Sequence, residues 1–119
     1  MYVNQTLGRF GEEKACNYLK KNNYKIIERN FRCRQGEIDI IAKDLSKNEL
    51  VFIEVKTRLN FNFGRPAQSV NYIKQKHIFN VSKYYLYKNS MQNTSIRFDV
   101  IEIFAKNSEF HINHIKQIF

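Results

Sequence analysis

Residues 50–56 constrain the fold of this chain most, because they form a nearly continuous run of apolar, mostly β-branched side chains. Such a run predicts a central strand that is covered on both faces of a sheet. Side chains alternate along a strand, so Phe52, Glu54 and Lys56 share one face and the β-branched residues between them share the other. Two ionised side chains therefore point from a strand that is otherwise apolar.

Length and composition predict one compact domain over residues 1–119. Four glycines, one proline and 14% aromatic residues exclude collagen, coiled-coil and disordered chains. The 20 Lys and Arg residues outnumber the 11 Asp and Glu residues, which gives a formal net charge of +9. Such an excess attracts polyanions and makes nucleic acid the expected partner, the alternative being a surface that serves only solubility.

Nothing in the sequence predicts a membrane segment or a secretory signal. No window approaches the roughly 18 consecutive apolar residues of a membrane span, and the first six residues lack a basic-then-apolar order. We therefore expect no membrane association and a cytoplasmic location. Cys16 and Cys33 match no metal-ligand spacing and are expected to be free thiols in or near the core. The three histidines show no ligand spacing either, and we expect them at the surface or at a strand edge.

Apolar periodicity and turn residues predict an α/β chain with the order α-β-β-β-α-β-β. The first helix is expected from about residue 6, with Thr6 as its N-cap, to residue 21. Pro66 is suited to the first turn of a second helix that ends near residue 88. The strands are expected at residues 24–31, 37–43, 50–56, 96–105 and 111–115.

Asp39 is the second candidate acidic residue of a functional site. A hairpin symmetric about Ser46 and Lys47 places Asp39 opposite Glu54, where like charges destabilise an antiparallel pair. Mg²⁺ or Mn²⁺ would neutralise them, because converging carboxylates supply the hard oxygen ligands that these ions prefer. Lys56 would then stabilise developing phosphoryl charge or orient the attacking water. The alternative is a surface ion pair between Glu54 and Lys56.

The first predicted helix offers a third carboxylate. Glu12 shares the apolar face with Gly8, Ala15 and Leu19, whereas Glu13 lies about 100° away on a polar face. An inward Glu12 would be a further acidic ligand, for a second metal ion or for a metal-bound water. The alternative is a glutamate that is favoured near the helix N-terminus by the helix dipole.

The predicted loop at residues 57–65 combines cations with aromatic side chains. Arg58 and Arg65 are interleaved with Phe61 and Phe63, a mixture that clamps phosphates and stacks or wedges against bases. Alternatively, both phenylalanines pack over the core.

The second predicted helix supplies two further candidate nucleic-acid contacts, Lys74 and Lys76. Lys74 lies on the inner stripe with Val70 and Val81, to which either His77 or Ile78 also belongs, followed by Tyr85. An inward lysine usually snorkels to the helix edge, and here we expect that edge to face the carboxylates or a bound phosphate.

The segments Gly36-Glu37-Ile38-Asp39 and Phe52-Ile53-Glu54-Val55-Lys56-Thr57-Arg58 resemble the YraN family of small bacterial proteins. That family belongs to the restriction-endonuclease-like PD-(D/E)XK nuclease superfamily and is similar to archaeal Holliday-junction resolvases. The resemblance implies an αβββαβ core with a mixed central sheet flanked by helices, and leaves the last strand as a C-terminal addition. Further matching positions are Gly11, Glu12, Ala15, Tyr18, Leu19, Arg29, Asn30, Phe63, Gly64, Pro66, Lys74 and Arg97-Phe98-Asp99-Val100.

Carried over by residue, the resemblance implies that Asp39 and Glu54 bind the metal, that Lys56 is the catalytic lysine and that Glu12 completes the site. The sequence therefore predicts a Mg²⁺- or Mn²⁺-dependent endonuclease that hydrolyses DNA, rather than RNA, with branched or structured DNA as a candidate substrate. A resolvase-like role would also require a homodimer. The alternative is a non-catalytic nucleic-acid-binding protein that retains the nuclease fold.

Overall fold

A computed structural model describes residues 2–59, 72–91, 93–107 and 109–119, with side chains from Leu7 onwards. The predicted order α-β-β-β-α-β-β is confirmed. In chain order the elements are α1 Tyr2–Lys21, β1 Tyr24–Cys33, β2 Gly36–Asp44, β3 Glu49–Arg58, α2 Tyr72–Lys88, β4 Ile96–Lys106 and β5 Glu109–Ile115. Neither described helix is long and apolar enough to cross a membrane.

The strands form one mixed sheet with the order β1-β2-β3-β4-β5, so that β3 is central as predicted. The first three strands are antiparallel, β3 and β4 are parallel, and β5 returns antiparallel to β4. A parallel pair requires a crossover connection, and α2 lies within the one between β3 and β4. This is an αβββαβ core with β5 as the additional C-terminal strand.

Each face of the sheet is covered by one helix and has its own apolar core. Because side chains alternate along β3, Val51 and Ile53 pack beneath α1, while Leu50 and Phe52 pack beneath α2. The α1 core also contains Ala15, Cys16, Leu19, Tyr24, Ile40, Ala42, Ile101 and Ile103. The α2 core also contains Phe31, Ile38, Ile41, Ile78, Val81, Tyr85, Phe98 and Val100.

Most strands extend one or two residues beyond the expected bounds, and the largest differences are at the start of α1 and in β3. Helix α1 begins at Tyr2 and therefore runs through Thr6, because residues 2–5 contain no glycine or proline that would stop it. Strand β3 continues to Arg58, since β4 pairs with it along residues 56–58. The expected start of the second helix at Pro66 lies outside the described residues.

On α2, Ile78 rather than His77 belongs to the buried stripe, together with Val81 and Tyr85. Val70, which we expected to begin this stripe, lies outside the described residues. Both cysteines are free, with Cys16 buried and Cys33 partly buried, as the sequence predicts.

A buried guanidinium connects the first four strands at one end of the sheet. The Arg97 side chain is 4% exposed and donates hydrogen bonds to Asp44 at 2.9 Å, Glu49 at 3.0 Å, Asp99 at 2.9 Å and the Tyr24 hydroxyl at 2.7 Å. Burial opposes the charge of Arg97, but the hydrogen bonds and the carboxylates hold its pKa above its usual value. A buried cation with this many acceptors satisfies the requirement that a desolvated charge be paired.

Asp99 extends this network to the edge strand, to α1 and to the end of the chain. His114 on β5 contacts Asp99 through Nε2 at 2.8 Å and the Tyr18 hydroxyl through Nδ1 at 2.9 Å. The backbone N–H of Gln117 donates to Asp99 at 3.0 Å. His114 lies on an edge strand as expected, but its side chain is only 5% exposed.

Helix α1 lies close against β3 at Gly11. A Cβ atom at Gly11 would collide with the hydroxyl of Thr57, whereas one at Gly8 would meet nothing within 4 Å. Gly11 is buried and Gly8 is only partly buried. The close contact with β3 is therefore at Gly11, about one helical turn after Gly8, which we expected on the buried face of α1. The absence of a side chain at Gly11 is therefore a packing requirement.

We expect Gly11→Ala to lower the free energy of unfolding by about 1–3 kcal/mol, because the added methyl group overpacks the contact with Thr57. Gly8→Ala is the matched control and should raise it by about 0.5–1 kcal/mol, since alanine favours a helix. Urea unfolding of both variants measures the difference. Equal effects of the two substitutions would contradict this assignment.

Candidate functional site

Strands β2 and β3 separate at Asp39. Their pairs run from Asp44 opposite Glu49 to Ile40 opposite Ile53, in the register that a turn symmetric about residues 46 and 47 predicts. Asp39 and Glu54 would form the next pair of this ladder. Instead, the Asp39 carboxylate accepts the backbone N–H of Val55 at 2.8 Å. A side chain thus takes the place of a strand partner at the point where the sheet opens.

A change of face in β1 and β2 accompanies this opening. The two strands pair on both sides of Asn30 and Asp39, but the pair between these two residues is missing from the ladder. Asn30 has a φ of 54°, in the left-handed region that asparagine tolerates better than most residues. Ile40 belongs to the core beneath α1, whereas Phe31 and Ile38 belong to the core beneath α2. The irregularity turns Asp39 towards β3.

Asp39, Glu54 and Lys74 line one cavity on the α2 side of the sheet. Its volume is about 140 Å³, enough for several water-sized groups. Glu37 and Asp99 are the other charged residues of its lining, and the rest of the lining is apolar. The apolar residues are Ile38, Ile53, Phe52, Ile78, Phe98 and Ile118.

Glu54 has one oxygen in an ion pair and one that is buried without a partner. Its Oε2 lies 3.5 Å from Lys74 Nζ, so the expectation that Lys74 faces the carboxylates is confirmed. Its Oε1 has no hydrogen-bond partner among the residues that the structure describes. A buried unpaired carboxylate oxygen costs free energy, and it is an atom that a cation would satisfy.

The environment of Asp39 disfavours its ionised form. Burial and, to a smaller extent, the charges of Glu12, Glu54 and Glu37 raise the pKa of Asp39 to about 6, against the opposing effect of the Val55 N–H. Near neutral pH the site therefore combines repelling carboxylates in a place with little water. A bound cation would favour the ionised form.

Lys56 lies on the same face of β3 as Glu54, within a group of alternating charges. Burial lowers the pKa of the Lys56 ammonium, Glu54 and Glu102 oppose this effect, and Arg58 and Lys74 add to it. The charges of these two acids and two cations therefore act on the Lys56 ammonium. This is an environment in which a lysine is easily influenced by a bound anion or cation.

Glu102 on β4 is a buried acid that our sequence reasoning did not identify. Its side chain is fully buried, accepts Arg58 Nε at 3.3 Å and Asn113 Nδ2 at 3.1 Å, and lies in register with Lys56. Its signal was available, because Glu102 stands between Val100 and Phe104 on a face of β4 that is apolar from Ile96 onwards. Arg58, expected to contact phosphate, is thereby oriented by an ion pair while 39% of its side chain stays exposed.

Glu12 lies in a neighbouring groove rather than in the cavity of Asp39. Its side chain is 19% exposed and lies 3.8 Å from the Arg29 guanidinium, which also binds Glu13 at 2.9 Å. Arg9 and Arg32 line the same groove. Glu12 is mostly buried, as its position on the helix face predicts, and its charge reaches Asp39.

The structure therefore brings Asp39, Glu54 and Lys74 to one cavity and holds Glu12 in a separate groove, from which its charge acts on Asp39. Within the described ranges, no three His, Cys, Asp or Glu side chains are grouped closely enough to hold a metal ion. Lys76 is exposed on α2. Arg65, like Phe61 and Phe63, lies outside the described residues.

We expect Asp39→Asn to raise the free energy of unfolding at pH 8, by up to about 3 kcal/mol for a pKa raised from 3.8 to about 6. The ionised carboxylate disfavours the fold above pH 6, whereas below about pH 4 Asp39 is protonated in both states and the gain vanishes. The amide oxygen of asparagine still accepts the Val55 N–H. Urea unfolding between pH 4 and 8 measures the profile.

Glu13→Gln is the control for that measurement, because Glu13 is 60% exposed, pairs with Arg29 at 2.9 Å and is not among the acids whose charge raises the pKa of Asp39. Its effect should be small and nearly flat over the same pH range. An Asp39→Asn variant that is less stable than the wild type at pH 8 would show that the ionised carboxylate stabilises the fold.

The chain has close relatives over its whole length. The model of the family described as "Uncharacterised protein family UPF0102" matches residues 11–103, a range that includes Glu12, Asp39, Glu54 and Lys56. A UPF0102 protein of Clostridioides difficile is 49% identical over 98% of each chain. UPF0102 proteins of Clostridium botulinum and Caldicellulosiruptor saccharolyticus are 47% and 46% identical, over 99% and 95% of this chain and 97% and 96% of their own. On these matches, the chain belongs to the uncharacterised protein family UPF0102.

Proposed function

We propose that this protein is a Mg²⁺- or Mn²⁺-dependent endonuclease that hydrolyses DNA phosphodiesters. The observation that carries the proposal is the convergence of Asp39 and Glu54 on one cavity, where a buried Glu54 oxygen lacks a partner among the described residues. Membership of the PD-(D/E)XK nuclease superfamily, implied by the sequence resemblance, belongs to the same proposal.

The donor set fits a hard divalent cation, because both candidate ligands are carboxylates on strands whose backbones hold them in place. Asp39 and Glu54 would hold the ion. Glu12 is the third acidic group of the proposal, and in the present arrangement it acts on Asp39 through its charge. A bound ion would polarise the phosphodiester and lower the pKa of a coordinated water.

Cationic side chains have the complementary roles in this proposal. Lys56 would orient the attacking water or stabilise the negative charge that develops on the phosphoryl group. Lys74 would pass from Glu54 to a substrate phosphate, a short displacement for a flexible side chain that already borders the cavity. Arg58, held by Glu102, and Lys76 and Arg65 would contact the flanking backbone.

The charge of the whole chain supports a polyanionic substrate. A formal net charge of +9 on 119 residues attracts nucleic acid over long distances. DNA is proposed over RNA, and branched or structured DNA as the preferred form, on the sequence resemblance. Cutting two strands of a junction would require two such sites and hence a homodimer.

We expect Mn²⁺ to raise the melting temperature of the wild-type protein and to leave that of Asp39→Asn/Glu54→Gln unchanged. The double variant keeps the size of both side chains and removes the charges that a cation requires. Glu13→Gln is the matched control, since it removes a carboxylate that is 60% exposed on α1, and it should respond like the wild type. A shift that persists in the double variant would place the cation elsewhere.

We also expect Mg²⁺-dependent scission of nicked, branched or single-stranded DNA to fall by at least about 100-fold in Glu54→Gln and in Lys56→Met. Lys47→Met, in the exposed β2–β3 turn, is the control for loss of a lysine and should retain activity. Gel assays with purified variants measure the cleavage rate. Activity that survives in both site variants would exclude this site as the catalytic one.

A non-catalytic nucleic-acid-binding protein is the second candidate function, and one observation favours it. Lys74 already pairs with Glu54, and Arg29 with Glu12, so protein cations balance part of the acidic charge. Such a protein would bind DNA with an affinity that falls steeply with salt and is unchanged or increased in Asp39→Asn. The absence of both a Mn²⁺ shift and scission, together with that binding, would establish it over the nuclease.

A further inference from the structure

The outward face of α2 has a composition that is unusual for a solvent-exposed helix surface. The segment Tyr72–Lys88 contains four lysines and neither Asp nor Glu. Opposite its buried stripe, large aromatic side chains project into solvent, with Tyr72 75% exposed and Tyr87 83% exposed. The exposed aromatic residues are accompanied by lysines and by no acidic side chain. In a protein of this charge, such a surface indicates a binding partner.

A shallow hollow lies between this face and the turn that joins β1 to β2. Its lining consists of Gln35, Asn80, Lys83, Tyr84 and Tyr87. These residues provide two aromatic rings, two side-chain amides and one ammonium group, which are the groups that stack on a base, hydrogen-bond to its edge and neutralise its phosphate. One side of the hollow is anchored, because the Tyr84 ring packs 6.4 Å from Phe31.

The charge of this surface decides between the possible occupants. A second copy of the chain, docked symmetrically through this face, would bring two surfaces together that carry lysines and no acidic residue, and these repel. A nucleic acid brings the opposite charge to the same lysines. A paired base hides both faces and its Watson–Crick edge within the duplex, so only an unpaired base offers the hollow a face on which its rings can stack together with that edge for its amides.

We propose that the hollow of Gln35, Asn80, Lys83, Tyr84 and Tyr87 binds an unpaired base of a single-stranded nucleic acid. The proposal rests on the proposed function, which makes nucleic acid the ligand. It deepens that function by naming a single-stranded segment as part of the substrate. Tyr87 lies about 20 Å along α2 from Lys74, since a helix rises about 1.5 Å per residue. The strand would therefore extend along one rigid helix from the hollow to the cavity.

The test is fluorescence anisotropy of the full chain with a labelled 20-nucleotide oligo-dT, the same length of oligo-U and a matched DNA duplex, all in EDTA. We expect Tyr87→Ala to weaken binding of the single strands about tenfold and to leave duplex binding unchanged. Tyr87→Phe, which retains the ring, should bind within about twofold of the wild type. Tyr87 is so exposed that its replacement should leave the melting temperature unchanged.

Two matched controls use the other side of the molecule. Phe110→Ala removes an aromatic residue that is 43% exposed and whose ring centre lies 4.6 Å from Lys14 Nζ. This substitution should not change binding. Lys20→Gln/Lys21→Gln removes two exposed charges from α1, whereas Lys76→Gln/Lys83→Gln removes two from α2. The α2 pair should weaken single-strand binding several-fold more than the α1 pair.

Each other outcome overturns the proposal. Unchanged binding by Tyr87→Ala would exclude the hollow, and equal weakening for single strands and duplex would show that it contacts the backbone instead of a base. A change from dimer to monomer in Tyr87→Ala, with nucleic-acid binding intact, would assign the surface to self-association. The binding assay contains no metal, and the Mn²⁺ shift is measured without nucleic acid. The binding result therefore does not depend on whether the proposed nuclease activity is found.

Discussion

The buried guanidinium of Arg97 is the interaction on which the arrangement of the sheet depends. It reaches Tyr24 at the start of β1, Asp44 at the end of β2, Glu49 at the start of β3 and Asp99 on its own strand. Removing one partner would leave charge in a place without water, which is strongly destabilising. The network therefore fixes the strands at the end of the sheet where the β2–β3 turn lies.

With the strands fixed by Arg97 at one end of the sheet, β2 and β3 separate towards the opposite end. Strand pairing between β2 and β3 stops at Ile40 and Ile53, and the next two residues are Asp39 and Glu54. An antiparallel pair of like charges would be unfavourable there. The separation relieves this repulsion, and the Val55 N–H, which loses its strand partner, is satisfied by the Asp39 carboxylate. The candidate site is thus a consequence of where the ladder ends.

The sequence predicted the parts of this arrangement that depend on short-range periodicity. Alternation along β3 placed Glu54 on the face of Phe52, the symmetric turn gave the register that leads to Asp39, and helical spacing placed Lys74 on the side of α2 that meets Glu54. These rules apply within one element or across one tight turn. The same alternation would have identified Glu102, had it been applied to β4.

Contacts between distant segments had no such signal. Arg97 and Asp44 are 53 residues apart, and Gly11 meets Thr57 only because α1 crosses β3 at that point. The groove that holds Glu12 depends on Arg29, which is 16 residues away from Glu13 on a different element. One sequence gives the type of each of these residues but not the partner, since the partner is set by how the helices settle on the sheet.

Two protein cations now occupy the positions next to the candidate ligands. Lys74 approaches Glu54 from α2, and Arg29 approaches Glu12 from β1, so part of the acidic charge is balanced by the chain itself. A divalent cation at Glu54 would compete with the Lys74 ammonium for the same carboxylate. Under the proposed function this competition has a use, because a displaced Lys74 remains at the cavity edge, where a substrate phosphate would be bound. The acidic site and the cationic face of α2 would then act on separate nucleotides of one strand.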